Sequence, residues 1–353
     1  MSQITVADAV QPIASRKTAP QQTAAQKHTR QRLLLGLGLL VVFVLSLLVG
    51  RYPASGLIAW ERLMGDELAQ RLVLNLRLPR LLIALLLGMS LSAAGMVFQL
   101  LFNNPLVEPG FLGVSQGAAF GAAFCIVFLG GSAGAVQGLA AISAFAGLGF
   151  SYLLARRIRY GGWVLRLVLA GIAVSALFSA GLGLLKYMAD PLRQLPEITF
   201  WLLGGLASVT WQKILTTLPT ILTGLLVMFL YRWRLNLLGL TEETAFSLGA
   251  TPGRERLLLI VAAVLPTATL ISLAGMVGWV GLIVPHIARR LFGADARFAL
   301  PAAMLLGGTF TILCDDLART LLAGEIPLGI LTSFFGAMVF LGLMILQGVR
   351  AQR

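Results

Sequence analysis

The chain has 353 residues, of which 58% are hydrophobic and only 12% are charged, and its mean hydropathy is +0.88. Soluble globular domains carry about twice that share of charged residues, so the composition excludes a soluble protein and predicts an integral membrane protein. The net charge is +13, but the basic residues lie at the ends of apolar runs rather than along one polar face, which argues against a nucleic-acid partner.

The first 32 residues are polar and lack the pattern of a secretory signal, so residues 1–32 are predicted to form a disordered cytoplasmic tail. Residues 33–353 are predicted to form one polytopic transmembrane domain, because apolar runs of about 18 to 25 residues recur and each can cross a hydrocarbon core about 30 Å thick. Residues 196–211 are too short to span and are expected to re-enter or to lie at the interface. The predicted spans number about ten: 33–50, 81–102, 111–129, 133–155, 163–188, 213–231, 257–275, 278–292, 299–321 and 328–347.

Two patterns concern the overall arrangement of these spans. If both termini are cytoplasmic, most Lys and Arg residues fall in segments on the cytoplasmic side of the membrane. This excess of basic residues is expected of cytoplasmic loops and supports that orientation. The stretches LSAAGMV (91–97) and ISLAGMV (271–277) resemble each other. Each is followed eight residues later by a proline, Pro105 in the first case and Pro285 in the second. The similarity fits either an inverted repeat, as in many transporters, or chance among abundant small residues.

No catalytic set is visible in the sequence. His28 and His286 are far apart, Cys125 and Cys314 each lie singly in an apolar run, and no Gly-rich loop ends in Gly-Lys-Ser/Thr. We therefore predict that the chain is not an enzyme and holds no metal and no cofactor. If transport is powered by ATP, another subunit must bind the nucleotide.

Ionisable residues inside spans are functional candidates, because the membrane interior penalises charge. Asp315 and Asp316 lie near the middle of the ninth span, and Arg319 follows one turn later. The spacing predicts a structural Asp315–Arg319 pair, with no partner for Asp316. An ion site at Asp315/Asp316 in an ion-coupled secondary transporter stays open as the alternative. Lys186 and Arg166, at opposite ends of the fifth span, are expected to reach an interface.

A short helix is predicted in the longest internal polar loop, residues 232–257. In TEETAFSLG, Thr241 is a plausible N-cap, Glu242 and Glu243 occupy the first turn, and Gly249 closes the segment. A partner protein could grip such a helix at the cytoplasmic face, although any surface helix can show this pattern.

The eighth span interrupts its apolar run with Pro285 and His286 and ends in two arginines. Pro285 is expected to disrupt the helix near its inner end. Arg289 and Arg290 are expected to hold that end at the cytoplasmic face. His286 is interpreted as a structural or gate-adjacent residue rather than a ligand.

Five motifs that occur in order after residue 70 resemble the permease subunits of ABC importers for iron chelates and cobalamin, the FecCD type. They are LRLPRLL (76–82), NNPLVEPGFLGVSQGA (103–118), LNLLGLTEETAFSLGA (235–250), GWVGLIVPHIARR (278–290) and DDLARTLLAGEIPLGILTSFFGA (315–337). The resemblance implies the all-α type II ABC importer architecture in a bacterial inner membrane, with ten transmembrane helices in contact with lipid. It also implies three kinds of partner: a second copy of the permease, two ATPase subunits that bind ATP and Mg, and a periplasmic or extracellular binding protein.

The resemblance further implies roles for individual residues. On the outer face, Arg77, Arg80 and Arg319 match positions that pair with glutamates of the binding protein, although Arg77 and Arg80 would also suit anchoring to lipid phosphates. The segment 241–249 resembles the coupling helix that docks in a cleft of the ATPase. The residues of this coupling segment are Leu240, Thr241, Glu242, Glu243, Ala245, Leu248 and Gly249.

Two further assignments concern the pathway. Gly161 and Gly162 occupy the loop where the family builds its cytoplasmic gate, and here the loop departs from the family pattern. Lys186 and Tyr187 are predicted near the outer mouth, where they would favour an anionic chelate. The family spans ferric siderophores, haem, cobalamin and molybdate, and we expect a ferric siderophore or haem first.

Overall fold

The computed structural model describes residues 19–52, 56–58 and 60–351. Within these ranges the regular secondary structure is helical except for one hairpin of two short strands, in which Val49 pairs with Leu57 and Gly50 with Gly56. The helices of the described ranges are α1 (Ala19–Leu48), α2 (Trp60–Gly65), α3 (Glu67–Leu72), α4 (Leu78–Leu101), α5 (Val114–Phe128), α6 (Ala133–Arg157), α7 (Trp163–Met188), α8 (Gln194–Leu203), α9 (Trp211–Leu230), α10 (Arg232–Leu238), α11 (Glu242–Ser247), α12 (Pro252–Ala274), α13 (Val280–Phe292), α14 (Ala296–Thr320) and α15 (Leu328–Ala351). The strands are β1 (Val49–Gly50) and β2 (Gly56–Leu57).

The helices confirm the prediction of an all-α membrane protein with about ten spans. Among the described residues, 8 helices are long and apolar enough to cross a membrane, and α3 and α4 are joined by a π-helical turn, Val73–Arg77, into one of them. The shorter helices α5 and α13 occupy the positions of the third and eighth predicted spans. The segment predicted to be too short to span forms α8, a helix of 10 residues.

The first helix begins earlier than the sequence pattern suggested. α1 starts at Ala19, so helical backbone extends into the segment 1–32 that was predicted to be a disordered tail. Its first residues are rich in Ala and Gln, which propagate a helix from an adjoining span at little cost. Residues 1–18 of the predicted tail lie outside the described residues.

Small residues let α4 approach its neighbours closely. A Cβ atom on Gly88 would lie 2.0 Å from the backbone oxygen of Gly307 in α14, and one on Gly95 would lie 1.9 Å from that of Gly281 in α13. Helix association in lipid depends on such close packing, because apolar burial no longer drives it. α4 therefore forms the centre of the bundle, with α12, α13 and α14 packed around it.

The prediction that Pro285 disrupts the inner end of the eighth span is wrong. α13 continues through Pro285 to Phe292, and the non-helical break lies earlier, at residues 275–279. Pro285 cannot donate a hydrogen bond to the carbonyl of Gly281, four residues before it. That carbonyl instead accepts a hydrogen bond from Gln99 Nε2 of α4 at 3.3 Å, which satisfies the group that the proline leaves free.

The two similar stretches of the suspected repeat differ in local structure. Residues 91–97 lie entirely within α4, whereas 271–277 run from the end of α12 into the break. Gly275 has φ +73°, while Gly95 lies in the middle of a helix. An inverted repeat stays a prediction.

Candidate functional site

A buried ion cluster lies where the start of α4 meets the end of α14. Arg80 Nε lies 2.9 and 3.1 Å from the two carboxylate oxygens of Asp315, and Arg80 Nη1 lies 2.8 Å from both oxygens of Glu325. Asp315 is 0% exposed, and Arg319 Nε approaches it to 3.7 Å. The predicted Asp315–Arg319 pair is therefore present, but Arg80 makes the closer contact with that carboxylate.

The other contacts of this cluster hold the end of α1. Arg77 Nη1 donates to the carbonyls of Leu47 and Leu48 at 3.1 and 3.3 Å. Arg319 donates to the carbonyl of Ser46 at 2.6 Å and to that of Val49 at 3.0 Å. The last carbonyls of a helix have no partner within the helix, so these two arginines satisfy the end of α1 with charge-assisted hydrogen bonds.

Asp316 has partners that the sequence did not reveal. Its carboxylate accepts hydrogen bonds from the hydroxyl of Ser46 and from the guanidinium of Arg319. Both aspartates of the proposed ion site thus pair with arginines, and this geometry does not favour a vacant cation site. Of the three predicted docking arginines, Arg77 and Arg319 are turned inward, and only Arg80 bonds an accessible group, Glu325.

At the opposite end of the bundle, α11 forms within the predicted segment 241–249. The hydroxyl of Thr241 accepts from the backbone N–H of Thr244 at 3.4 Å, as expected of an N-cap. Gly249 ends the segment with φ +80°, a left-handed conformation that favours glycine. Glu242 and Glu243 are exposed in the first turn.

α11 has two distinct faces. Ala245, which the sequence placed among the coupling residues, is fully buried against the protein and cannot reach a partner. Phe246 is 71% exposed, and Leu240 and Leu248 are also exposed. Sequence reasoning missed Phe246, although an aromatic residue in an otherwise polar surface helix is a usable signal. The three apolar side chains beside two glutamates give α11 the composition of a protein-docking surface.

The candidate gate loop lies between α6 and α7 at the same end. Gly161 and Gly162 are exposed, and Gly161 has φ +80°. Trp163 follows directly and stacks on Phe102 at the end of α4, with ring centroids 5.8 Å apart. The structure therefore brings the loop before α7 against the loop that follows α4.

Arg289 does not simply anchor α13 at the membrane surface. Its guanidinium is half-buried and donates to Gln99 Oε1 at 2.5 Å, whereas Arg290 is exposed. Gln99 is the same residue that bonds the Gly281 carbonyl, so one amide links both halves of α13 to α4. His286 is partly exposed in α13 and lines neither of the two cavities below.

Two adjacent cavities, of about 330 and 660 Å³, lie beside the break at residues 275–279. Glu108 lies on the wall that they share, together with Phe111, Met276 and Gly278. Glu108 is the only ionisable group among the described residues that line these two cavities. Sequence reasoning quoted its motif but did not single it out.

Lys186 and Tyr187 lie at the carboxyl end of α7, opposite to the loop of Gly161 and Gly162. Both side chains are exposed, and neither lines the two cavities. Their predicted effect on the substrate stays a prediction.

The comparisons with known proteins agree with this arrangement. A model of the FecCD transport family matches residues 38–346. The chain belongs to this family. It is 38% identical to the molybdate import system permease protein MolB of Haemophilus influenzae, covering 89% of this chain and 96% of that protein. It is 37% identical to the hemin transport system permease protein HmuU of Yersinia pestis, covering 92% and 98%.

The fold matches that of a solved relative. A structure described as an inward-facing conformation of a transporter assigned to the metal-chelate ABC type superposes with a TM-score of 0.83 at 36% identity, covering 90% of this chain and 99% of that one. As a FecCD member, the chain is a multi-pass inner-membrane permease subunit of an ABC importer and is not itself an ATPase. FecCD permeases carry no cofactor, and the partner ATPase binds ATP. Membership also implies a binding protein as partner.

Proposed function

We propose that the chain conducts a bulky metal chelate, a ferric siderophore or haem, from an external binding protein to the cytoplasm, with cobalamin or molybdate as the other candidates. The observation that carries the proposal is α11, whose exposed Phe246 and Leu248 adjoin Glu242 and Glu243. This surface suits docking to a separate ATPase. The ATPase supplies the energy for transport, because the sequence of this chain has no Gly-rich loop that would bind a nucleotide. The relative named for hemin import supports the chelate class, and the relative named for molybdate import supports that oxyanion as another candidate.

The working assembly in this proposal contains two copies of the permease around one pathway, two ATPases and one binding protein. Both termini face the cytoplasm, because that orientation places α11 and the basic segments on the inner side. Gly161 and Gly162 act as the movable part of the cytoplasmic gate, since their loop is exposed and glycine tolerates backbone change.

Docking of the binding protein occurs at the opposite end, around Arg80. Glu325 is half-exposed and bonds Arg80 Nη1, so a carboxylate of the binding protein can take its place without uncovering Asp315. Arg77 and Arg319 support this surface by holding the end of α1. Such pairing fixes orientation and speeds encounter more than it raises affinity.

The test is reconstitution of the permease with its ATPase and binding protein in vesicles. We expect ATP-dependent accumulation of one chelate, and loss of both ATPase docking and uptake when Glu242 and Glu243 are replaced by Lys. Glu67→Lys is the control for ATPase docking alone, because Glu67 is an exposed carboxylate at the other end of the bundle. Normal ATP-driven uptake by the Glu242→Lys, Glu243→Lys variant would contradict the coupling assignment, and uptake driven by an ion gradient without the ATPase would contradict the proposal as a whole.

A further inference from the structure

A continuous set of contacts links α11 to two loops, the candidate gate loop before α7 and the loop that follows α4. Glu242 of α11 forms an ion pair with Arg256 of α12, with 2.5 Å between Oε1 and Nη1. The Arg256 guanidinium lies over the ring of Trp163 at the start of α7, 5.3 Å from its centroid. Trp163 in turn stacks on Phe102 at the end of α4. Four helices are thus joined through one guanidinium and two rings.

Arg256 is unusual for a cation so close to the membrane surface. It is 6% exposed, and its Nη2 donates to the carbonyl of Leu238 at 3.3 Å. Its Nε is buried and has no hydrogen-bond partner among the described residues. A basic residue that served only solubility or topology would reach water, as the neighbouring Arg254 does. The burial of Arg256 means that its contact with Trp163 is shielded from water and hence stronger than the same contact in solution, whereas the Glu242 carboxylate reaches the guanidinium from the exposed side of α11.

The far end of this contact set consists of the segments that can open the pathway. Trp163 directly follows Gly161 and Gly162, and Phe102 directly precedes the loop that runs to Leu106, a wall residue of the larger cavity. Phe102 also stacks on Phe98, with centroids 5.6 Å apart, and both rings are buried. A displacement of Arg256 therefore acts on Trp163 first and on the end of α4 second.

We propose that Arg256 is a coupling residue: it transmits the movement of α11 on the ATPase to Trp163, and through Trp163 to the two loops at the gate. Arg256 touches neither substrate nor ATPase and is therefore a positioning residue. The Arg256 guanidinium contacts the carboxylate of Glu242 on one side and the indole of Trp163 on the other, so a displacement of Glu242 moves Arg256 and then Trp163. This inference rests on the proposed function, because it needs α11 to be the docking element.

The test measures the substrate transported per ATP hydrolysed by the reconstituted complex. Arg256→Gln should leave ATPase assembly intact, because Phe246 and Leu248 still present their surface, while transport per ATP falls about tenfold, within the usual range of coupling between sites. Arg256→Lys keeps the charge and should retain part of the coupling. Arg254→Gln is the matched control, an exposed arginine two residues away, and should keep the wild-type ratio.

A double-mutant cycle separates coupling from simple packing. Trp163→Leu alone should also lower transport per ATP, and combining it with Arg256→Gln should lower it no further, because both changes break one chain. A structural readout accompanies the cycle: a spectroscopic label at Tyr160→Cys in the exposed gate loop should change its signal on ATP addition in the parent protein but not in Arg256→Gln.

Three results would overturn the inference. They are an unchanged transport ratio in Arg256→Gln, an equal loss in Arg254→Gln, and a double variant whose loss is the product of the two single losses. Failure of this inference is distinguishable from failure of the proposed function. In the first case the unmodified complex still imports a chelate with ATP, and in the second case it does not.

Discussion

Replacement of Asp315 by Asn tests whether the buried ion cluster is structural. Asp315 is fully buried and bonds Arg80, with Arg319 nearby, so the variant leaves one positive charge in excess in the buried cluster and leaves Arg80 with only the half-exposed Glu325 as its counter-charge. At an effective dielectric constant near 20, two unit charges about 4 Å apart attract by about 4 kcal/mol. Removing one partner of a buried pair costs about 3–5 kcal/mol, and since Asn can still accept one hydrogen bond we expect about 3 kcal/mol.

The assay is the free energy of unfolding in mixed micelles, determined by titration with a denaturing detergent. A loss of about 3 kcal/mol corresponds to about a hundredfold shift in the ratio of folded to unfolded protein. Glu67→Gln is the control, because its pair with Arg71 is exposed and should contribute below about 1 kcal/mol. An unfolding free energy for Asp315→Asn within 1 kcal/mol of the parent would refute the reasoning.

The same variant also addresses the alternative of an ion-coupled transporter. The folded fraction of Asp315→Asn should still carry out ATP-driven uptake, because Asp315 serves packing rather than ion binding. Complete loss of uptake by protein that is demonstrably folded would instead revive an ion site at Asp315/Asp316.

Three further changes have clear expected outcomes. Gly88→Leu should destabilise the protein by about 1–3 kcal/mol or more, because even a Cβ would overlap the α14 backbone, whereas Gly38→Leu in α1 meets open space and should be nearly neutral in the same assay. Burial alone would raise the pKa of Asp295, but hydrogen bonds from Arg297 lower this pKa below its usual value. The ionised Asp295 therefore stabilises the folded protein fully above the unfolded-state pKa of about 3.9. This contribution is lost as the pH falls through the folded-state pKa. Asp295→Asn should therefore flatten the acid limb of the stability curve measured against pH. Lys186→Ala should lower uptake of anionic chelates. Unchanged uptake of every anionic chelate tested would contradict the assignment of Lys186 to the outer mouth of the pathway.

Much of the fold could be predicted because the preference of apolar side chains for the membrane interior dominates it. A run of apolar residues has no stable place except the membrane interior, where the backbone must form helix, so hydropathy alone marks each span. The fifth span was predicted at 163–188, and α7 has the same bounds. The start of α1 could not be found in this way, since helix propensity rather than hydropathy extends that helix beyond the span.

Side-chain partners were harder to predict, because they depend on which helices meet. The pair of Asp315 and Arg319 follows from helix periodicity alone, and it was found. The contacts of Asp316 with Ser46 and of Arg80 with Asp315 join distant parts of the chain, and no local pattern announces them. Likewise, the amphipathic placement of Ala245 inward and of Phe246 outward needed the orientation of α11 on the bundle.

The start of the break at residues 275–279 packs closely against the end of α8. Irregular backbone at membrane depth must satisfy its polar groups within the protein. At the start of the break, the N–H of Gly275 donates to the carbonyl of Ile271 at 2.8 Å, and the carbonyl of Ala274, the last residue of α12, accepts from the N–H of Gly205 at 2.7 Å.

A Cβ on Gly275 would lie 2.2 Å from the carbonyl oxygen of Trp201, so the backbones of α8 and of the break are already in contact. Moving the start of this break would separate the hydrogen bond between Gly205 and Ala274 and the close backbone contact of Gly275 with Trp201. The exposed loop at Gly161 and Gly162 carries no such constraint, because solvent can satisfy its backbone. In the proposed function, movement of α11 would therefore act most readily at the start of α7, where Arg256 and Trp163 are in contact.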